Sequence, residues 1–135
     1  MMSGIVNALR YEQGFFTPEL KFGGDNIDMI GTYNGSYTII DSILIYSIDI
    51  SLTAKGTSTG SATITGLPYA TINNNIIAPI AYENVDVTGS TIIIAMITGS
   101  TLDIKASKNN APFSLLDESD FNNNSKLYIS GTYRI

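Results

Sequence analysis

The chain contains no histidine, no cysteine and no tryptophan among its 135 residues. Without cysteine there is no disulfide framework, no thiol nucleophile and no thiolate metal site. Without histidine the commonest general base and the commonest transition-metal ligand are missing as well. Charge is sparse: 7 basic against 12 acidic residues leave a net charge of −5, a sign that opposes a phosphate backbone. The basic residues (Arg10, Lys21, Lys55, Lys105, Lys108, Lys126, Arg134) are scattered rather than clustered, so nucleic acid is not an expected partner. Apolar runs reach only a few residues, too short for a spanning helix, and the segment 1–12 lacks the basic start and long apolar core of a signal peptide. Membrane insertion, a cofactor, a metal site and a catalytic site are therefore not expected.

What the chain has instead is Ile, Thr, Ser, Asn and Gly, a composition whose β-branched excess favours strands. Its length suits one domain with a sizeable core. The stretch 35–69, GSYTIIDSILIYSIDISLTAKGTSTGSATITGLPY, carries the clearest pattern. Leu44, Tyr46, Ile48, Ile50 and Leu52 alternate with Ser47, Asp49, Ser51 and Thr53, a strand with one buried and one wet face. After the turn-rich KGTSTG, alternation resumes with Ala62 and Ile64, which predicts an antiparallel hairpin across residues 42–65. The first arm is long enough, at roughly 3.3 Å per residue, to require a bend or bulge. Ile43 and Ile45 place apolar side chains on the otherwise polar face. A second covering surface is expected there, either another subunit or a loop of the same chain.

The remaining segments read in order. Residues 1–14 do not follow the β pattern. Ile5, Val6 and Leu9 fit one or two turns of weak helix, so the segment is either an arm ordered by a partner or an unstructured terminus. Leu20 and Phe22 mark a short strand after Pro18. Asn34-Gly35 predicts a tight turn pairing residues 29–33 with 36–40. Residues 76–82 form a strand with Pro79 at an edge or bulge, and 91–97, TIIIAMI, a fully buried central strand. A hairpin joins it to 101–106, one acidic helical turn covers 117–121, and a last strand runs over 126–135. About eight strands and no long helix predict an all-β fold: an antiparallel β-sandwich, jelly-roll-like, formed by residues 15–135 behind a short N-terminal arm.

Three clusters invite a functional reading. Asp117, Glu118 and Asp120 with Asn122, Asn123 and Asn124 offer hard oxygen ligands suited to calcium, although an acidic helix start accounts for them equally. KGTSTG lacks the Gly-Lys-Ser/Thr order of a phosphate loop and reads as a hairpin loop. The eight tyrosines and the Asn/Thr-rich loops could contact a sugar, but core and rim packing explains them as well. No pair among the twelve acids stands out as a glycosidase pair.

Read together, TPELKFGG at 17–24, YTII at 37–40, LTAKGTSTG at 52–60, ATITGLP at 62–68, DESDF at 117–121 and ISGTY at 129–133 resemble a β-rich domain of tailed-bacteriophage virion proteins. That domain is often found at the C-terminal ends of tail fibres and tailspikes. The resemblance spans most of residues 15–135, with 71–116 matching only in strand rhythm. It implies a trimeric, non-enzymatic virion module. In fibres the domain follows a long shaft, whereas here about fourteen residues precede it, which leads to the expectation of a protein bound directly to a capsid or tail surface. A homotrimeric capsid decoration (cement or head-fibre) protein is the first expectation, with Ile5, Val6, Leu9, Arg10 and Tyr11 attaching it to the major capsid protein and Ile43 and Ile45 at the subunit interface. A tail-fibre or tail-tip module binding a host receptor or glycan is the alternative.

Overall fold

In the computed structural model, residues 10–90, 92–108 and 111–135 are described. They form ten strands: β1 (Tyr11–Phe16), β2 (Glu19–Phe22), β3 (Ile30–Ile40), β4 (Ile43–Ala54), β5 (Ala62–Thr65), β6 (Ile76–Val85), β7 (Ile92–Thr98), β8 (Thr101–Ser107), β9 (Ser114–Leu115) and β10 (Phe121–Arg134). Among the described residues a single 3₁₀ turn, Glu118–Asp120, precedes the last of them. Every strand pair is antiparallel. The expected all-β antiparallel fold is the one observed. Its strands follow one path, β1-β3-β4-β10-β6-β7-β8-β5-β2, with β9 beside β8, and the sheet curls into a half-barrel.

Two features produce the curl. The strands at the two ends of the path, β1 and β2, are consecutive in sequence and separated only by Thr17 and Pro18, so the chain ties the sheet's ends together. At the other side β6 changes partners midway: residues 76–79 pair with β7 and residues 80–85 with β10. The change falls at Pro79, which has no N–H to give to a ladder.

The concave face holds the core. Leu44, Tyr46, Ile48, Ile50 and Leu52 of β4 meet Leu127, Ile129 and Tyr133 of β10, with Leu20 and Phe22 of β2, Ile64 of β5 and Leu102 and Ile104 of β8 opposite. The rings of Phe22 and Phe121 lie 5.1 Å apart and those of Tyr46 and Tyr133 5.8 Å apart. Burial of about 25 cal/mol per Å² over such a face is the main stabilising contribution.

Several expectations are corrected. The hairpin expected across 42–65 does not form: β4 pairs with β3 and β10, whereas β5 pairs with β2 and β8. Residues 55–61 cross between the two halves of the sheet, held by side-chain contacts described below. Asn34-Gly35 is not a turn but the middle of β3, opposite Asp49 and Ile48. A Cβ on Gly35 would stand 2.7 Å from the Phe16 ring, so glycine is there to admit an aromatic ring from β1. The tight connection lies instead at Asp41 and Ser42, with Asp41 at φ +57°. Residues 11–14, assigned above to the arm, belong to β1 and pair with residues 37–40. β7 is central, but Ile92 on its outer parity is half exposed. The bulge expected in the long strand occurs near its end, where the register against Ile30 and Gly31 shifts.

Candidate functional site

The outer face of β1, β3, β4 and β10 is where side chains depart most from what a solvated sheet requires. The register sets Tyr11, Ile40 and Ile43 side by side across three strands, with Gln13, Thr38 and Ile45 in the next row. Tyr11 is 65% exposed, Ile40 45%, Ile43 46% and Ile45 42%. No loop among the described residues covers Ile43 and Ile45, which stay exposed. The third row is polar: Ser36, Ser47 and Ser130 lie abreast beside Phe15, whose side chain is 90% exposed. Between Phe15, Gln13, Ser36, Thr38, Ile45, Ser47 and Ser130 runs an open groove of about 720 Å³. It is lined by aromatic, aliphatic and hydroxyl groups and by no charged side chain.

Of the proposed attachment residues, Ile5, Val6 and Leu9 lie outside the described residues. Arg10 and Tyr11 diverge. Tyr11 joins the outer apolar row. Arg10 turns toward the corner after β5, with its guanidinium 3.5 Å from Glu12 and 5.0 Å from the centre of the Tyr69 ring. Glu12 accepts hydrogen bonds from the hydroxyls of Tyr37 (2.8 Å) and Tyr69 (2.9 Å). These bonds, the one from Tyr37 foremost, hold its carboxyl below the usual carboxylate range, and the same contact raises the Tyr37 phenol. The cluster fastens the free-edge strand β1 to the corner at residues 66–70. A charged residue on the inward side of an edge strand also discourages edge-to-edge pairing.

The acidic turn and the KGTSTG loop, separate candidates in the sequence, are brought together. Lys55 Nζ donates to the carbonyls of Glu118 (2.9 Å) and Phe121 (3.0 Å), and Glu118 accepts from the Gly60 N–H (2.8 Å). Asp117 caps the turn by accepting from Ser119, which lowers its pKa, and Asp120 accepts from the Asp117 N–H. Asn123 accepts from the Lys55 N–H, while Asn122 and Asn84 donate across to each other's strand. One carboxylate oxygen of each of Asp117, Glu118 and Asp120 thus accepts from donors of the chain itself. Among the described residues no group of three acidic, histidine or cysteine side chains is arranged to hold a metal.

The motif residues meet one another throughout. Gly66 abuts the Thr17 carbonyl and Gly60 the Gly23 backbone. Ser58 accepts from the Ile27 N–H, and Tyr133 donates to the Tyr69 carbonyl at 2.6 Å. Sequence reasoning missed Phe15 and Ile40 as outer-face residues. The signal that marks them is parity: each shares it with Tyr11 or Ile45 once the strand register is known. No family model and no curated protein matches the chain.

Proposed function

We propose that this protein is a non-enzymatic structural component of a tailed-phage virion, a homotrimer that decorates the capsid surface. The observation that carries the reading is the exposed apolar row of Tyr11, Ile40 and Ile43 with Ile45 beside it, on a sheet face that in a monomer would be solvated. The motif stretches contribute in a second way, because they pack against each other and leave the outer face and the loops for partners. A protein of this kind acts by mass action: binding the assembled shell and not its parts favours the shell by the binding free energy. Residues 1–9 with Ile5, Val6 and Leu9 supply the attachment to the major capsid protein, and a chain lacking them retains every described strand.

The experiment is localisation and copy number on purified particles by cryo-electron microscopy. Hundreds of copies distributed over the shell are expected, and lost when residues 1–9 are deleted. A handful of copies confined to the tail would overturn the decoration reading.

The uncharged groove beside Phe15 favours a second reading, a tail module that binds a host glycan. An exposed aromatic face flanked by Ser36, Ser47, Ser130 and Gln13 has the stacking surface and the hydrogen-bonding groups that a neutral sugar presents for in return. On this reading Phe15→Ala abolishes binding to a glycan panel, and absence of binding by the parent protein removes it.

A further inference from the structure

The groove beside Phe15 continues past Ser47. The register sets Asn34, Asp49, Tyr128 and Ala81 abreast on β3, β4, β10 and β6, one row beyond Ser36, Ser47 and Ser130 and away from Ile43 and Ile45. Two further hollows open over this row, one of about 470 Å³ against Phe15, Asn34 and Asp49 and one of about 440 Å³ against Asp49, Tyr128 and Pro79. Ser47 lines all three, so they form one trough crossing the outer face from β1 to β6. An exposed ring stands toward each end: Phe15 on β1, and Tyr128 on β10, 37% exposed beside the methyl group of Ala81. Three strand spacings and one row of offset separate the two by roughly 15 Å. The polar groups between them are unengaged. Among the described residues the side chains of Asn34, Ser36, Ser47, Asp49, Tyr128 and Ser130 make no hydrogen bond or ion pair with the rest of the chain, in contrast to the carboxylates of the acidic turn. Among the described residues Asp49 is also the one charged side chain lining the trough. Lys126, in the next row of β10, is paired with Glu83 at 3.7 Å, so it does not offset the Asp49 charge.

We propose that this trough binds a neutral oligosaccharide laid across the strands, stacked on Phe15 and Tyr128 at its ends, with Asp49 and Asn34 holding hydroxyls of a ring between them. This rests on the glycan reading above and specifies its ligand. A span of roughly 15 Å takes about three pyranose rings, so a single sugar does not reach both aromatic faces. A carboxylate accepts from hydroxyls in charge-assisted bonds, which are stronger than neutral ones. The Asn34 amide both donates and accepts, as a sugar hydroxyl does. The same carboxylate sets the chemical class, because an uncompensated negative charge in the trough opposes uronic acids, sialic acids and phosphate-bearing polymers.

The test is an array of hexose and N-acetylhexosamine chains of one to six rings, beside chains of matching length that carry uronic or sialic acid. It is probed with the full chain and with Phe15→Ala, Tyr128→Ala and Asp49→Asn, all at exposed positions, their fold verified by melting curves. The parent is expected to bind neutral chains with an affinity that steps up at about three rings, and to leave acidic chains unbound. Tyr128→Ala is expected to weaken the longer neutral chains about tenfold and to spare the shorter ones. Asp49→Asn is expected to weaken neutral chains about tenfold and to narrow the margin between neutral and acidic ones. If Phe15→Ala loses binding while Tyr128→Ala and Asp49→Asn bind as the parent does, the extended trough is overturned and the glycan reading at Phe15 stands. A parent that prefers acidic chains overturns the neutral ligand and leaves that reading standing too. A parent that binds no glycan overturns both.

Discussion

Tyr46 and Tyr133 pack ring against ring in the core, yet their hydroxyls have opposite fates. The Tyr133 hydroxyl donates to the Tyr69 carbonyl, and burial pushes its pKa up to about 12. The Tyr46 hydroxyl is buried beside Gly131 with no hydrogen-bond partner among the described residues, and burial raises its pKa further. Loss of a satisfied bond costs about 1 kcal/mol, while removal of an unsatisfied buried hydroxyl recovers a desolvation cost of about 1–3 kcal/mol. Tyr133→Phe is therefore expected to lower the melting temperature by a few degrees and Tyr46→Phe to raise it. Calorimetry on the pair checks this, and a lower Tm for Tyr46→Phe would mean that the hydroxyl has a partner. Glu12 adds a pH dependence. Its folded pKa is depressed below the 4.5 of the free group, so its contribution is present above about pH 4.5 and lost as pH falls through the lower folded value. In Glu12→Gln the acid-side slope of stability between pH 5 and the acid limit is expected to flatten, read from melting curves across that range.

Among the elements, the crossover from β4 to β5 shows best how local sequence and tertiary contact divide the work. Its alternating flanks predict a hairpin, but Lys55 reaches the carbonyls of the 117–121 turn and Gly60 lies against Gly23, so the segment is directed across the core instead. Gly60 sits at φ +122°, and a Cβ there would meet the Gly23 Cα at 2.6 Å. Both the backbone conformation and the contact exclude a side chain, so Gly60→Ala is expected to cost about 2–4 kcal/mol. Denaturant melts measure it, and a loss below 1 kcal/mol would show that the crossover is not held at this point. The Asn34-Gly35 misreading has the same origin. The dipeptide has turn chemistry, but Phe16 covers Gly35 and Tyr37 covers Gly14, an exchange of aromatic rings and glycines that keeps both residues within strands.

For the whole molecule, the decisive quantity is what covers the outer apolar row. An aspartate at an exposed strand position perturbs the fold little but would place a charge in the interface proposed above. Ile45→Asp is thus expected to keep the melting profile of a folded chain while light scattering reports single chains; a native mass still at three would remove Ile45 from the interface. Much of this architecture was legible in the sequence. Period-2 alternation located β4, β8 and β10, the acidic start located the 3₁₀ turn, and the greasy opening of β4 marked Ile43 and Ile45 as needing cover. Those features are local, because side-chain parity along one strand is fixed by its own residues. Strand partners, the bend of β6 at Pro79, the meeting of the KGTSTG loop with the acidic turn and the joining of Tyr11 and Ile40 to Ile43 were decided only in the folded chain. Each depends on which distant segment lies alongside, and the alternation within a strand is the same whichever neighbour it pairs with.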